Sequence, residues 1–330
     1  MMNISLSAAC KQVHVQPLVN FQRGLSMDPF FHQKDKVVVI MGATGTGKSR
    51  LAIDLATRYR AEIVNSDKMQ VYKGLDIVTN KVREEECHGV PHHLLGISDP
   101  NSNFSANDFC HHASLAVDSI VQRDRLPIIA GGSNSYIEAL VNDDAEFRLR
   151  YECCFLWVDV SLPVLHSFVS DRVDRMIESG LINEVRQIFD PMADYSRGIR
   201  KAIGVPELDQ FLRAESIADE RTKSRFLEEA TDRIKVNNCL LVCRQLQKIH
   251  RLHTVWEWNM HRLNATEAFN KSGEEAEEIW KKLVVGRGSM IVEEFLNNQN
   301  HVPKIISSPD NVTAAPPVPI VTTAVAAATH

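Results

Sequence analysis

Residues Gly42, Ala43, Thr44, Gly45, Thr46, Gly47, Lys48 and Ser49 match the phosphate-binding loop G-x-x-x-x-G-K-[ST] at every position. The flanks agree with it. Val37, Val38, Val39 and Ile40 before the loop read as a buried strand, and Leu51, Ile53, Leu55, Ala56 and Tyr59 after it carry helical spacing. The glycines let backbone N–H groups turn inward, so a ring of donors and a helix N-terminus face one anion. Lys48 would neutralise the outer phosphates, and Ser49 would reach a Mg²⁺ ion directly or through water. Such a chain is expected to build a sheet whose first strand delivers this loop to its carboxyl edge. It binds a di- or triphosphate; the loop alone does not say which.

The 330 residues allow one large α/β domain, or one domain with an insertion. A net charge of -5 argues against a strong non-specific grip on nucleic acid. The seven cysteines form no C-x-x-C pair, and the adjacent Cys153 and Cys154 would point to opposite faces of a strand. This is the cysteine usage of a reducing compartment. Cys87, His88, His92, His93, Cys110, His111 and His112 are dense but fit no zinc-ligand spacing. No run is long and apolar enough to span a membrane. Residues 1–27 carry Lys11 and Arg23 and no acid, a pattern compatible with an organelle transit peptide or with an untargeted terminus.

Short β-rich runs alternate with longer helical patterns, which predicts an α/β fold of the P-loop NTPase-like kind: a mostly parallel sheet flanked by helices. The strands are expected at 36–41, 62–65, 127–130, 153–160 and 254–258, with helices at 107–123 and 162–189. Residues 190–252 lack strands and read as a helical subdomain. The organisation is therefore a flexible N-terminus at 1–35, a phosphate-loop α/β core at 36–189, the helical subdomain at 190–252, a return to the core at 253–290 and a mostly disordered tail at 291–330.

Asp67 falls at the carboxyl end of the second strand, within Asn65-Ser66-Asp67-Lys68-Met69-Gln70-Val71-Tyr72. Open α/β sheets place their ligands there, although an Asp at such a position can also serve as a helix N-cap. After the strand at 127–130 comes a second glycine-rich turn, Gly131-Gly132-Ser133, offering further helix N-terminal N–H groups and a hydroxyl.

Taken in order, these blocks resemble the isopentenyltransferase family, which includes tRNA dimethylallyltransferases and the adenylate isopentenyltransferases of plants. The matching stretches are the loop at 42–49, Ser66-Asp67-x-x-Gln70-Val71-Tyr72, Pro91-His92-His93-Leu94 and Gly131-Gly132-x-x-x-Tyr136-Ile137. They continue through Arg172-x-x-x-Met176-x-x-x-Gly180-Leu181-x-x-Glu184-Val185, Ala202-Ile203-Gly204 and Arg244-Gln245. The resemblance implies that the loop holds the diphosphate of dimethylallyl diphosphate as a leaving group, while the exocyclic N6 of an adenine attacks C1. Asp67 would then be the general base, and Lys48, Ser49 with Mg²⁺, and nearby arginines would stabilise the departing charge. Ser133 would sit near the bridging oxygen, and Lys68, Arg175 and Arg244 would contact diphosphate or nucleotide. Lys248 and Arg251 share a helical face with Arg244 and read either as part of that basic surface or as a solvated face. His92 and His93 read as pocket or turn residues, and Met69, Val71, Tyr72 and Leu75 as a prenyl pocket or as core.

Two acceptors remain open. The acidic charge, Lys68 beside Asp67 and the lack of a C-terminal zinc module favour ATP, ADP or AMP over tRNA. Lys68, Lys73, Arg200 and Lys201 are spare cations for a nucleotide's phosphates. The expectation is a monomer without membrane contact, working in the plastid or, alternatively, in the cytoplasm. A kinase is the competing chemistry, with Asp159 holding Mg²⁺ at the end of Phe155-Leu156-Trp157-Val158-Asp159. A nucleotide-binding module without turnover is a further alternative.

Overall fold

A computed structural model describes residues 34–298. In chain order it runs β1 (Asp35–Met41), α1 (Lys48–Tyr59), β2 (Ala61–Asn65), β3 (His92–His93), α2 (Ala106–Val121), β4 (Leu126–Ala130), α3 (Asn134–Glu138), α4 (Ala145–Arg150), β5 (Tyr151–Asp159) and α5 (Leu162–Glu178). There follow α6 (Leu181–Gln187), α7 (Asp209–Ala214), α8 (Glu220–Val255), β6 (Met260–Asn264), α9 (Thr266–Phe269), α10 (Gly273–Trp280) and α11 (Arg287–Asn297). The strands form one sheet in the order β3-β2-β4-β1-β5-β6, and every pairing is parallel.

The alternation of β1 shows why both faces must be covered. Val38 and Ile40 enter one apolar cluster with Leu51, Leu55, Ile128 and Leu156. Val37, Val39 and Met41 enter another with Phe109, Ile120, Ile129 and Trp157. A strand buried on both faces has to read as a continuous apolar run, as this one does. Cys153 and Cys154 divide between the same two clusters, on opposite faces. A third cluster lies outside the sheet, where Val71, Tyr72 and Leu75 meet Val173, Leu181, Phe211 and Ile234.

Residues 190–252 contain no strand. Their 36-residue helix α8 is not set apart from the core, because Ile234 lies in the third cluster, Val242 in the first, and Ile249 and Leu252 in the second. At ~1.5 Å per residue, α8 is about 54 Å long, enough to tie all three together. Lys248 and Arg251 of α8 both pair with Glu138 of α3. Their basic face is thereby occupied as an anchor between helices.

Three boundaries differ from expectation. No strand forms at 254–258: α8 runs through Val255, and the strand follows at β6, an edge strand with only Met260 and Leu263 buried. One-sided burial leaves a weak apolar pattern, so the aromatic Trp256 and Trp258 gave a stronger but misplaced signal. The helix expected over 162–189 is two helices, broken at Gly180 with φ 103°. The loose tail expected from 291 does not begin there, since α11 docks through Val292 into the first cluster. Tyr59 donates to the Ser289 carbonyl at 2.8 Å, and Lys36 donates to the Asn298 carbonyl at 2.8 Å. The rest of that tail and the N-terminal segment lie outside the described residues.

Candidate active site

Strand order decides what meets at the carboxyl edge. With β4 between β2 and β1, the loops leaving all three strands are neighbours, so the 42–49 loop, Asp67 and the Gly131-Gly132-Ser133 turn converge. Backbone bonds stitch two of them. Ser66 N–H donates to the Ala130 carbonyl at 2.9 Å, and Ser133 N–H donates to the Ser66 carbonyl at 3.2 Å. Ser133 Oγ accepts from Lys68 N–H at 2.9 Å. The approach is so close that a Cβ on Gly131 would lie 2.4 Å from the Ser66 carbonyl carbon, so only glycine fits.

Asn65, which the sequence did not single out, fixes the Asp67 backbone. Its Oδ1 accepts from Asp67 N–H at 3.1 Å, and its Nδ2 donates to the Leu94 carbonyl at 3.2 Å. Asp67 Oδ1 accepts from Met69 N–H at 2.9 Å, which orients the carboxylate.

Two cations, Lys48 of the phosphate loop and Arg172 of α5, stand against that one carboxylate. Lys48 is 8% exposed and donates to the Ala43 carbonyl at 2.7 Å. Burial pushes its ammonium down to about 8; the Asp67 charge opposes the shift and Arg172 adds to it. Arg172 of α5 donates to Thr44 Oγ1 at 3.1 Å, and its Nε is buried without a partner. Burial lowers its guanidinium to about 10, aided by neighbouring Arg175 and opposed by Asp67. A buried lysine, a half-buried arginine with an unpartnered guanidinium N–H and a ring of loop amides call for an anion.

A residue missed in the sequence joins the two glycine turns. Gln245 Oε1 accepts from Thr44 N–H at 2.7 Å, and its Nε2 donates to the Gly132 carbonyl at 2.9 Å. Asn134 Nδ2 donates back to the Gln245 carbonyl at 3.2 Å. The Arg244-Gln245 pair was legible as a motif, yet it is the amide that touches the loop. Arg244 is exposed.

A cavity of about 1270 Å³ opens beside the loop. Ser49, Lys73, Arg172 and Arg175 line it, with Arg175 also stacked over Phe168 at 5.4 Å. Asp67, Lys68, Ser133 and Arg244 are not among the lining residues. Asp67 nonetheless reaches the cradle electrostatically, through its effect on both Lys48 and Arg172. Arg200 donates to the Ile188 carbonyl at 3.1 Å, and neither it nor Lys201 lines this cavity. Val71, Tyr72 and Leu75 are buried in the third cluster, with Met69 against it, so core packing accounts for them. His93 contacts Glu62 at 2.7 Å and His92 the Val90 carbonyl at 2.8 Å, at the sheet's edge. Asp159 is taken by Arg262, which donates through Nε at 2.8 Å and lies 2.5 Å away through Nη2. It is therefore not the free carboxylate that the kinase alternative needs.

Residues 70–150 and 142–251 match the model of the IPP transferase family. The chain is 61% identical over 323 residues to adenylate isopentenyltransferase 5, chloroplastic, of Arabidopsis thaliana, covering 96% of this chain and 98% of that one. It is 56% identical over 294 residues to adenylate isopentenyltransferase 7, mitochondrial, of the same plant, covering 87% and 89%. Among solved structures, a eukaryotic dimethylallyltransferase acting on tRNA superposes with TM-score 0.68 at 24% identity, covering 81% of each chain, which supports the fold. The chain belongs to the IPP transferase family.

Two expectations follow from this geometry. Gln245→Ala strands the Thr44 N–H and the Gly132 carbonyl, so diphosphate affinity should fall by about 5- to 150-fold, the equivalent of ~1–3 kcal/mol; calorimetric titration checks this, and unchanged affinity would remove Gln245 from the cradle. For Lys48 the sign is set by its lowered value. Burying its charge costs stability below pH about 8, and the cost is relieved as pH rises from there toward 10.5. A bound diphosphate favours the charged form, so binding should take up a proton above pH about 8 and weaken as pH rises. Titration of a diphosphate monoester in buffers of differing ionisation heat reads that uptake, and Lys48→Met should abolish it.

Proposed function

We propose that this chain transfers the dimethylallyl group of dimethylallyl diphosphate to N6 of a free adenine nucleotide and releases diphosphate. The observation that supports the reading is the electrostatic coupling of two cations, Lys48 of the loop and Arg172 of α5, to one fixed carboxylate, Asp67. In the reaction the C1–O bond to diphosphate breaks, a C1–N6 bond forms, and N6 gives up a proton. The lone pair of that amine is delocalised into the adenine ring, so attack depends on a base that takes the proton as the bond forms. Asp67 is that base, a role worth ~10²–10⁴-fold. Lys48, Arg172 and the amides at 42–49 bind the diphosphate and hold the charge that grows as it leaves. Ser133, Lys68, Arg175 and Arg244 belong to the same reading as further contacts to diphosphate or nucleotide.

The donor set suits Mg²⁺. Ser49 offers an exposed hydroxyl, and among the described residues no group of three His, Cys, Asp or Glu could hold a metal. A hydroxyl at the end of the loop suits an ion carried mainly by substrate phosphates and water, with Ser49 as its protein ligand. Bound there, Mg²⁺ would neutralise leaving-group charge.

A nucleotide is preferred to tRNA because the chain is acidic overall and because the relatives at 61% and 56% identity are called adenylate isopentenyltransferases. ATP and ADP are preferred to AMP, with Lys68 and Lys73 as cations for the additional phosphates. The product is an N6-isopentenyladenine nucleotide, an early cytokinin intermediate. The acid-free N-terminal 27 residues and the chloroplastic relative favour the plastid as its site of action.

Mass spectrometry of products from purified protein, Mg²⁺ and dimethylallyl diphosphate tests this, with ATP, ADP, AMP and unmodified tRNA offered separately. A prenylated nucleotide with untouched tRNA is expected. Asp67→Asn should lower the rate about 10²–10⁴-fold while leaving diphosphate binding within a few-fold. Prenylated tRNA alone would overturn the acceptor, and a normal rate in the variant would overturn the base.

A further inference from the structure

Away from the phosphate cradle, a cavity of about 250 Å³ lies between α5 and α8. His166 and Ser170 line it from α5, and Lys235, Cys239 and Cys243 line it from α8. Cys243 Sγ lies 3.6 Å from His166 Nε2, within reach of a thiol–imidazole hydrogen bond. Cys239, one helical turn earlier, has its sulfur 3.9 Å from Ser170 Oγ. Lys235, the charged residue lining this cavity, pairs with Asp174 at 2.7 Å. An imidazole in contact with a thiol can accept its proton and expose the thiolate, which is the nucleophile.

The four described cysteines outside this cavity are unsuited to this role. Burial pushes Cys110 up to about 11 and Cys153 and Cys154 up to about 12, and it raises Cys87 as well. None of the four lines this cavity or has an imidazole beside it among the side-chain contacts.

We propose that Cys243 is a thiol–disulfide exchange site for a low-molecular-weight disulfide, with His166 as its base. His166 Nε2 takes the thiol proton, and the Cys243 thiolate attacks one sulfur of the disulfide. The disulfide's S–S bond breaks, a new S–S bond joins Cys243 to the attacked half, and the other half leaves as a thiolate. That thiolate takes the proton from His166. Cys243 is oxidised and the departing half is reduced, so electrons and protons balance.

The position gives the adduct an effect. Cys243 is two residues before Gln245, whose amide bridges Thr44 and Gly132. The same α5–α8 seam carries the Arg172 to Asn238 contact at 3.4 Å. Val236 and Leu240 at the cavity's rim are exposed, so a peptide-sized group attached there stands at the mouth of that seam, where it would compete with the α5–α8 contacts and loosen the loop's hold on its anion.

The test incubates the full-length protein with glutathione disulfide, then maps the modified peptide by mass spectrometry and titrates diphosphate before and after treatment. One glutathionyl group on Cys243 is expected, forming at least about tenfold more slowly in His166→Gln and not at that position in Cys243→Ser. The modified protein should bind diphosphate at least about tenfold more weakly, a loss of ~1.4 kcal/mol. Dithiothreitol should restore binding, and Cys243→Ser should keep its affinity throughout. Labelling spread over several cysteines, or an undiminished rate in His166→Gln, would overturn the exchange site. An adduct on Cys243 with unchanged diphosphate affinity would overturn its coupling to the loop. These readouts involve only thiol chemistry and diphosphate, so they stand or fall separately from the identity of the prenyl acceptor.

Discussion

Three parallel strand ends held side by side are the constraint on which everything else in this molecule depends. Because β4 sits between β2 and β1, a carboxylate from one loop, donors from a second and a glycine turn from a third share one edge of the sheet. Strand pairing alone brings these loops near one another but does not fix them to ångström precision. The precision comes from a few hydrogen bonds across the loops: Ser66 to Ala130, Ser133 to Ser66, Lys68 to Ser133, and the two made by the Gln245 amide. Each contributes only ~1 kcal/mol net, but where the partner is buried, as at Ser66, breaking one leaves it unsatisfied, and that asymmetry holds the arrangement rigid.

On the proposed reading, the charge pattern that results lets a phosphate loop serve a reaction without phosphoryl transfer. Lys48 is buried and Arg172 half-buried, desolvation lowers the proton affinity of both, and the Asp67 charge opposes that shift. On the proposed reading, an incoming diphosphate would complete the balance, and a diphosphate departing with rising negative charge would be held more strongly still. Kinase-type chemistry would ask for a second carboxylate facing the loop. The nearest sequence candidate, Asp159, is already engaged by Arg262.

Much of this was legible in the sequence, because the informative contacts are short in chain distance. The loop at 42–49 needs only its own glycines and the strand before it, and the Asp67 block needs only the end of β2. Four core strands likewise announced themselves as apolar runs. What escaped depends on pairs far apart in the chain. Gln245 meets Thr44 across 201 residues, and no local pattern marks an amide that will bridge two backbones. Asn65 read only as the last residue of the strand at 62–65 until Leu94 was brought beside it. Lys248 and Arg251 had helical spacing compatible with a ligand surface, and only the approach of Glu138 made them an anchor. Edge strand β6 and helix α11 were blurred for a simpler reason: one-sided burial halves the apolar signal.

The most direct measurement is a crystal structure of the protein with an unreactive thio-analogue of dimethylallyl diphosphate, Mg²⁺ and ATP. The expected result places the analogue's diphosphate within the loop at 42–49, against Lys48 and Arg172, with adenine N6 in hydrogen-bonding reach of Asp67. Finding the phosphates of ATP in that loop instead, with the prenyl analogue elsewhere, would contradict the assignment of the loop to the leaving group.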